Sequence, residues 1–241
     1  MRGLRAAVQF LTVLPLRGPG VEPWRAAAWF PVVGAALGAA GAGILALLEP
    51  LLPAQIRALL VVAFWIGATG ALHEDGLADV ADGVRAERSR ERMLEILKDS
   101  RIGAFGALAL ILSVAVRWQA LAALAVDALP ALTAVMALSR ASIVVLARIA
   151  RPAGAGMGAR FAGRVTTLSA TAAAALALAA AAWCGVATGA VLAVVTAVVI
   201  LASRSYFHRR LGGVTGDCLG AVAQLVEMSL LTVLACRSCI S

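Results

Sequence analysis

The chain has 241 residues, of which 62% are hydrophobic and 14% charged, and its net charge is +8. Soluble domains average about 45–50% apolar and about 25% charged residues, so a water-soluble globular protein is excluded and an all-α, polytopic integral membrane protein is indicated. The positive charge does not point to nucleic acid: Lys and Arg fall at the ends of apolar runs, with no basic stripe interleaved with aromatics.

Met1–Arg17 has a basic start, but its apolar run ends at Leu14-Pro15-Leu16 without a small-residue cleavage site, so it does not read as a signal peptide. A spanning helix needs about 20 mostly apolar residues. That length predicts about seven transmembrane helices, at 30–48, 56–72, 104–123, 130–147, 167–184, 186–203 and 218–235. Gly185 makes the fifth-to-sixth connection very tight. The Ala-rich run Thr166–Ala182 reads as scaffold, because small residues let spanning helices pack closely. The whole of 1–241 is expected to form one membrane-embedded domain with a motif-bearing loop at 73–103. Seventeen of the 21 basic residues fall on one side of these spans. By the positive-inside rule that side is the cytoplasm, and it holds the N-terminus and every motif loop; the membrane expected is the cell (inner) membrane.

The segment His73–Gly103 carries eight of the 13 acidic residues. Its middle, Glu87–Lys98, predicts a short amphipathic helix with Met93, Leu94 and Leu97 on one face. Arg88 with Glu91, and Arg92 with Glu95, read as solvated i,i+3 pairs. Asp75, Asp79 and Asp82 are different. Steps of four and three put them on one helix face, and three close carboxylates repel unless a cation relieves them. A helix cap would explain one such aspartate, not three. They are the candidate ligands for a hard divalent metal. His73 precedes them as a candidate base or ligand.

Next comes Lys98-Asp99-Ser100-Arg101-Ile102-Gly103-Ala104-Phe105-Gly106. Free amides at a helix start, with Lys98, Ser100, Arg101 and Gly103, would cradle phosphate. The bland alternative is a charged flank holding a helix end at the interface. A third patch, Gly212-Gly213-Val214-Thr215-Gly216-Asp217-Cys218-Leu219-Gly220, precedes Gln224 and Glu227, which share a helix face with Asp217. Glu227 lies inside an apolar span, where an acid is costly and usually marks function; Arg140 in the fourth span is its expected partner. His208 lies in a basic turn and reads as solvated, and Cys236-Arg-Ser-Cys239 reads as a disulfide pair only if extracytoplasmic.

These motifs resemble the cobalamin synthase (adenosylcobinamide-GDP ribazoletransferase) family. Its pattern is His-x-Asp-Gly-Leu-Ala-Asp-x-x-Asp-Gly, then Lys-Asp-Ser-x-x-Gly-x-Phe-Gly, then Gly-Gly-x-Thr-Gly-Asp-x-Leu-Gly-Ala, and all three occur here in order. Weaker echoes are Gln9-Phe10-Leu11-Thr12, Trp29-Phe30-Pro31-Val32-Val33-Gly34 and Leu138-Ser139-Arg140. Glu74 stands where an apolar residue is expected.

The resemblance implies the last assembly step of vitamin B12. α-Ribazole or α-ribazole 5′-phosphate displaces GMP from adenosylcobinamide-GDP, with Mg²⁺ as cofactor. It implies Asp75, Asp79 and Asp82 as metal ligands, Lys98, Ser100 and Arg101 as phosphate-binding residues, and Asp217 as a further ligand or the base. The reading of the residues adds Gly103, Arg140, Thr215, Gln224 and Glu227 as candidate substrate-binding residues and His73 as a candidate catalytic one. The expected partners are the two substrates and the lipid bilayer, and an oligomer is compatible with the pattern. Against another diphosphate-using membrane enzyme, Ala78 is followed by Asp79 where a CDP-alcohol phosphotransferase would carry Ala-Arg. A UbiA-like prenyltransferase would carry a second Asp-rich motif, and only Asp217 is available. A cation channel would want mid-membrane acids in several spans, and only Glu227 qualifies.

Overall fold

The computed structural model describes residues 2–16, 21–83, 89–97, 101–124 and 127–236. The short amphipathic α1 (Arg2–Leu11) comes first. Pro23, whose missing N–H costs nothing in a first turn, opens α2 (Pro23–Ala26). A 3₁₀ turn at Ala27–Trp29 carries the chain into α3 (Phe30–Leu47). Next in order are α4 (Ala54–Thr69), α5 (Leu72–Gly83), α6 (Arg90–Ile96), α7 (Ala104–Ala122) and α8 (Ala128–Ile149). The chain ends with α9 (Met157–Arg164), α10 (Thr167–Ala182), α11 (Val186–Leu211) and α12 (Gly216–Ala235).

All seven predicted spans are helices. Five are long and apolar enough to cross a membrane alone; α4 and α10, at 16 residues each, reach that length only with the bent partners α5 and α9. The predicted 186–203 helix runs on to Leu211, where Gly212 ends it in the left-handed conformation. The predicted amphipathic helix forms over Arg90–Ile96 with Met93 and Leu97 buried; the Arg92–Glu95 pair forms at 2.8 Å on the exposed side. Glu87, Arg88, Lys98, Asp99, Ser100 and Cys239 lie outside the described residues.

The central helix is α8, buried from Ala131 to Ala147. Against it, α3 packs backbone to backbone: a Cβ at Gly34 or Gly38 would enter the carbonyls of Met136 and Leu132. The Ala-rich α10 turns Ala170, Ala173, Ala177 and Ala181 inward, the scaffold role its composition predicts. Outward faces stay apolar, with Leu108, Ile111 and Leu112 on α7 and Val194, Val198 and Leu201 on α11 exposed as lipid-facing bands.

Two features gather the motif loops at one end. The chain turns by 90° between α4 and α5, through Gly70 (φ 61°) and Ala71 (φ 58°). A left-handed alanine costs roughly 1–2 kcal/mol, so the corner is held by its surroundings. It takes α5 off the α4 axis and lays the acid stripe across the ends of the spans. The loops after α8 and α11 also pair: Val214 N–H donates to the Arg151 carbonyl at 2.8 Å, and Ala153 N–H to the Val214 carbonyl at 2.9 Å. His208 joins this clasp, accepting from Arg151 N–H at 3.1 Å, so it is a structural acceptor rather than a merely solvated ring.

Candidate active site

Helix α5 presents Asp75, Asp79 and Asp82 along one side, as their spacing predicts, and α12 adds Asp217. The helices meet closely where Gly76 faces Asp217. A Cβ at Gly76 would lie 2.8 Å from the Asp217 carbonyl oxygen, so the glycine after Asp75 lets α12 approach. Asp217 sits one residue inside the α12 N-terminus. Thr215 caps that helix by accepting from Cys218 N–H at 3.3 Å, and its hydroxyl donates to Asp217 Oδ2 at 3.2 Å. The acids feel one another: partial burial, then Asp75, Asp217 and Asp82, push the Asp79 carboxyl up to about 7. Yet among the described residues no three His, Cys, Asp or Glu side chains converge closely enough to hold a metal by themselves.

Asp82 has a second task that its spacing did not reveal. Its two oxygens accept from the N–H groups of Gly103 (2.7 Å) and Gly106 (2.9 Å), capping α7 from 21 residues upstream. A Cβ at either glycine would collide with the Asp82 carboxylate, which is why the second motif needs both. The Gly103 amide, offered to phosphate by the sequence reading, is therefore donated to Asp82. Arg101 stands exposed just before this junction. Lys98 and Ser100 fall outside the described residues.

Below the acid stripe lies a buried ion network. Glu227 pairs with Arg140 at 2.8 Å, the partner expected from sequence. Arg117, which sequence reasoning passed over, is fully buried and bridges Glu227 at 3.1 Å and Glu74 at 2.9 Å. Gln224 donates to Glu74 at 3.0 Å and accepts from Ser113 at 3.2 Å. Two arginines and two glutamates balance, as the low-dielectric interior requires. Glu74, Arg117, Gln224, Glu227 and Arg140 are thus in the core, tying α5, α7, α8 and α12 together beneath the acids. The available signal for Arg117 was a basic residue at the middle of an apolar span, four residues after Ser113. His73 is also buried, and its Nε2 has no hydrogen-bond partner among the described residues.

Two cavities adjoin the acids and share Met157, Gly158, Gly216 and Asp217. One, of about 290 Å³, lies between Leu94, Leu97, the 153–159 backbone and Thr215. The other, of about 200 Å³, is walled by Phe10, Ile143, Phe161 and Leu219, with Asp75 and Asp217 also lining it. A larger cavity of about 480 Å³, lined by Glu49, Arg57, Leu124 and Asp127, lies at the other ends of the spans and touches none of the motif residues. Size alone does not mark the site here.

The family model described as cobalamin-5-phosphate synthase matches residues 3–235. The chain belongs to the cobalamin-5-phosphate synthase family. Among its relatives, the adenosylcobinamide-GDP ribazoletransferase of Geotalea daltonii is 37% identical over 242 residues, covering 95% of each chain. Those of Bradyrhizobium diazoefficiens and Mesorhizobium japonicum are 41% and 40% identical, covering 96% and 93% of this chain and 92% and 89% of their own. No solved structure matches it significantly. In this family member the first and third motifs, far apart in the chain, meet at the α5–α12 crossing, and Gly103 and Gly106 of the second are fastened to Asp82 of the first.

Proposed function

We propose that the chain is an adenosylcobinamide-GDP ribazoletransferase whose reaction occurs at the α5–α12 crossing. The observation that carries this reading is Asp217, which stands among the α5 acids and lines both adjoining cavities, so that two substrates can meet beside one carboxylate. A hydroxyl oxygen of the α-ribazole (or α-ribazole 5′-phosphate) ribose forms a bond to the phosphorus nearest cobinamide. The bond from that phosphorus to the bridging oxygen breaks, and GMP leaves with the electron pair. Asp217, half-buried and hydrogen-bonded by Thr215, takes the hydroxyl proton.

The acids fit Mg²⁺ in a particular way. Mg²⁺ keeps several waters and is commonly held by one or two carboxylates plus substrate phosphates rather than by an all-protein cage. Asp75 and Asp79 supply such hard oxygens, and partial burial together with the neighbouring acids disfavours the Asp79 charge, a cost that a cation would relieve. Asp82 contributes from behind while capping α7. Bound there, Mg²⁺ would neutralise charge on the diphosphate. Lys98, Ser100 and Arg101 bind the phosphates, and the site faces the cytoplasm of the inner membrane. The support for that orientation is the concentration of basic residues on the motif side.

Membranes containing the protein, given adenosylcobinamide-GDP and α-ribazole with Mg²⁺, should release GMP and form the cobalamin product. No GMP release above protein-free membranes overturns the reading.

A further inference from the structure

Resting on that reading, we infer that the cavity walled by Phe10, Ile143, Phe161 and Leu219 is the subsite for the base of the incoming nucleoside. It selects an apolar bicyclic aromatic of the benzimidazole kind over a purine. Three observations converge. First, the cavity floor is aromatic. Phe10 and Phe161 stand nearly parallel, at 3° with centroids 6.3 Å apart, and both stack on the fully buried Phe30 at 5.6 and 5.5 Å. A rigid bank of rings offers edges and faces to a flat ligand.

Second, apolar and acidic groups line the same cavity: Phe161, Ile143 and Leu219 together with Asp75 and Asp217. A nucleoside seated base-down would bring its ribose hydroxyls to the carboxylate that takes the proton. Among the described residues, no Asn, Gln, Arg, Ser or Thr side chain lines this cavity, and His73 is its one polar side chain besides the two aspartates. The polar edge of guanine or adenine would lose several hydrogen bonds to water, and a single imidazole nitrogen could replace only one. An alkylated benzimidazole, with one free ring nitrogen, escapes that penalty. Third, size separates the substrates. About 200 Å³ takes a small ring system, below the usual range for a whole cofactor-sized ligand. The corrin cannot enter it. The second cavity, lined by Leu94, Leu97, residues 153–159, Thr215 and Asp217, is left for the leaving nucleotide.

The test is steady-state kinetics of the full-length protein in membranes, with Phe161→Leu and Phe10→Leu each removing one ring while keeping apolar bulk. Either variant should raise KM for α-ribazole at least about fivefold, the scale of one lost base–aromatic stack. KM for adenosylcobinamide-GDP should stay within twofold of wild type. Equilibrium dialysis of labelled α-ribazole, without the second substrate, should weaken in parallel. Wild type should use α-ribazole far better than the same α-riboside carrying adenine, and Ile143→Phe, which fills the cavity, should favour an unsubstituted benzimidazole riboside over an alkylated one. Unchanged α-ribazole KM in both ring variants, or an equal rise for both substrates, overturns the assignment. Saturable displacement of bound α-ribazole by GMP or by added phospholipid also overturns it, because the cavity would then belong to guanine or to an acyl chain. A wild-type protein that releases no GMP defeats the reaction reading instead, and dialysis still reports on the subsite.

Discussion

The carboxylate of Asp82 caps α7 by accepting the N–H groups of Gly103 and Gly106 at 2.7 and 2.9 Å. One acid of the first motif is thereby fastened to the second motif, and α5 is fixed against the start of α7. Asp82→Asn keeps the shape but turns an NH₂ toward one of the two donors. A lost charged cap costs about 1–2 kcal/mol, so the melting temperature in detergent should fall. Gly106→Ala should do the same by forcing the carboxylate out. Wild-type melting behaviour in both variants would refute the cap.

Asp79 should behave differently. Asp79→Asn removes charge from a cluster that repels itself, so folding should be unharmed while GMP release falls by at least about a hundredfold. Because the acids alone make no three-ligand cage, Mg²⁺ titrated against the protein without nucleotide should bind weakly, and adenosylcobinamide-GDP should tighten it. Near-normal turnover of Asp79→Asn at ordinary Mg²⁺ sinks the assignment.

Lys98 and Arg101 are assigned to the diphosphate. Losing one charge-assisted contact typically costs about 1.5–3 kcal/mol. Lys98→Ala should raise KM for adenosylcobinamide-GDP roughly tenfold or more and leave KM for α-ribazole unchanged. An equal effect on both substrates would make the loop a topological anchor only.

Arg117 stands between Glu74 and Glu227 with no water-exposed surface. Arg117→Met strands a buried negative charge, and breaking such a pair costs about 3–5 kcal/mol. Membrane-inserted protein should be strongly destabilised. Glu74→Met added to Arg117→Met should restore much of the loss, since Glu227 keeps Arg140. A double variant no more stable than the single one would show that charge balance is not what holds these four helices.

Orientation is checked by single cysteines in a cysteine-free background at Pro53, just before α4, and at Ser89, beyond the far end of α5; both positions are exposed. An impermeant thiol reagent should reach them from opposite faces, with Ser89 cytoplasmic. Labelling of both from one face means that α4 does not cross.

Much of this architecture was legible without coordinates. Apolar runs near the bilayer thickness predict helices, because lipid satisfies no backbone amide, and every predicted span is a helix. The spacing of Asp75, Asp79 and Asp82 put them on one face, and the apolar surroundings of Glu227 demanded a cation, which Arg140 supplies. These features are local or forced by charge balance. What only the tertiary structure decided is how separated segments share partners. The right-angle corner at Gly70–Ala71 lays α5 across the spans, the Gly76 contact brings Asp217 to the acids, and Arg117 joins Glu74 to Glu227 across 153 positions of sequence. Asp82 likewise reads as one more free ligand until α7 is seen to end against it. A carboxylate's role depends on which donors reach it, and donors on another helix leave no periodicity in the sequence that a reader could trace.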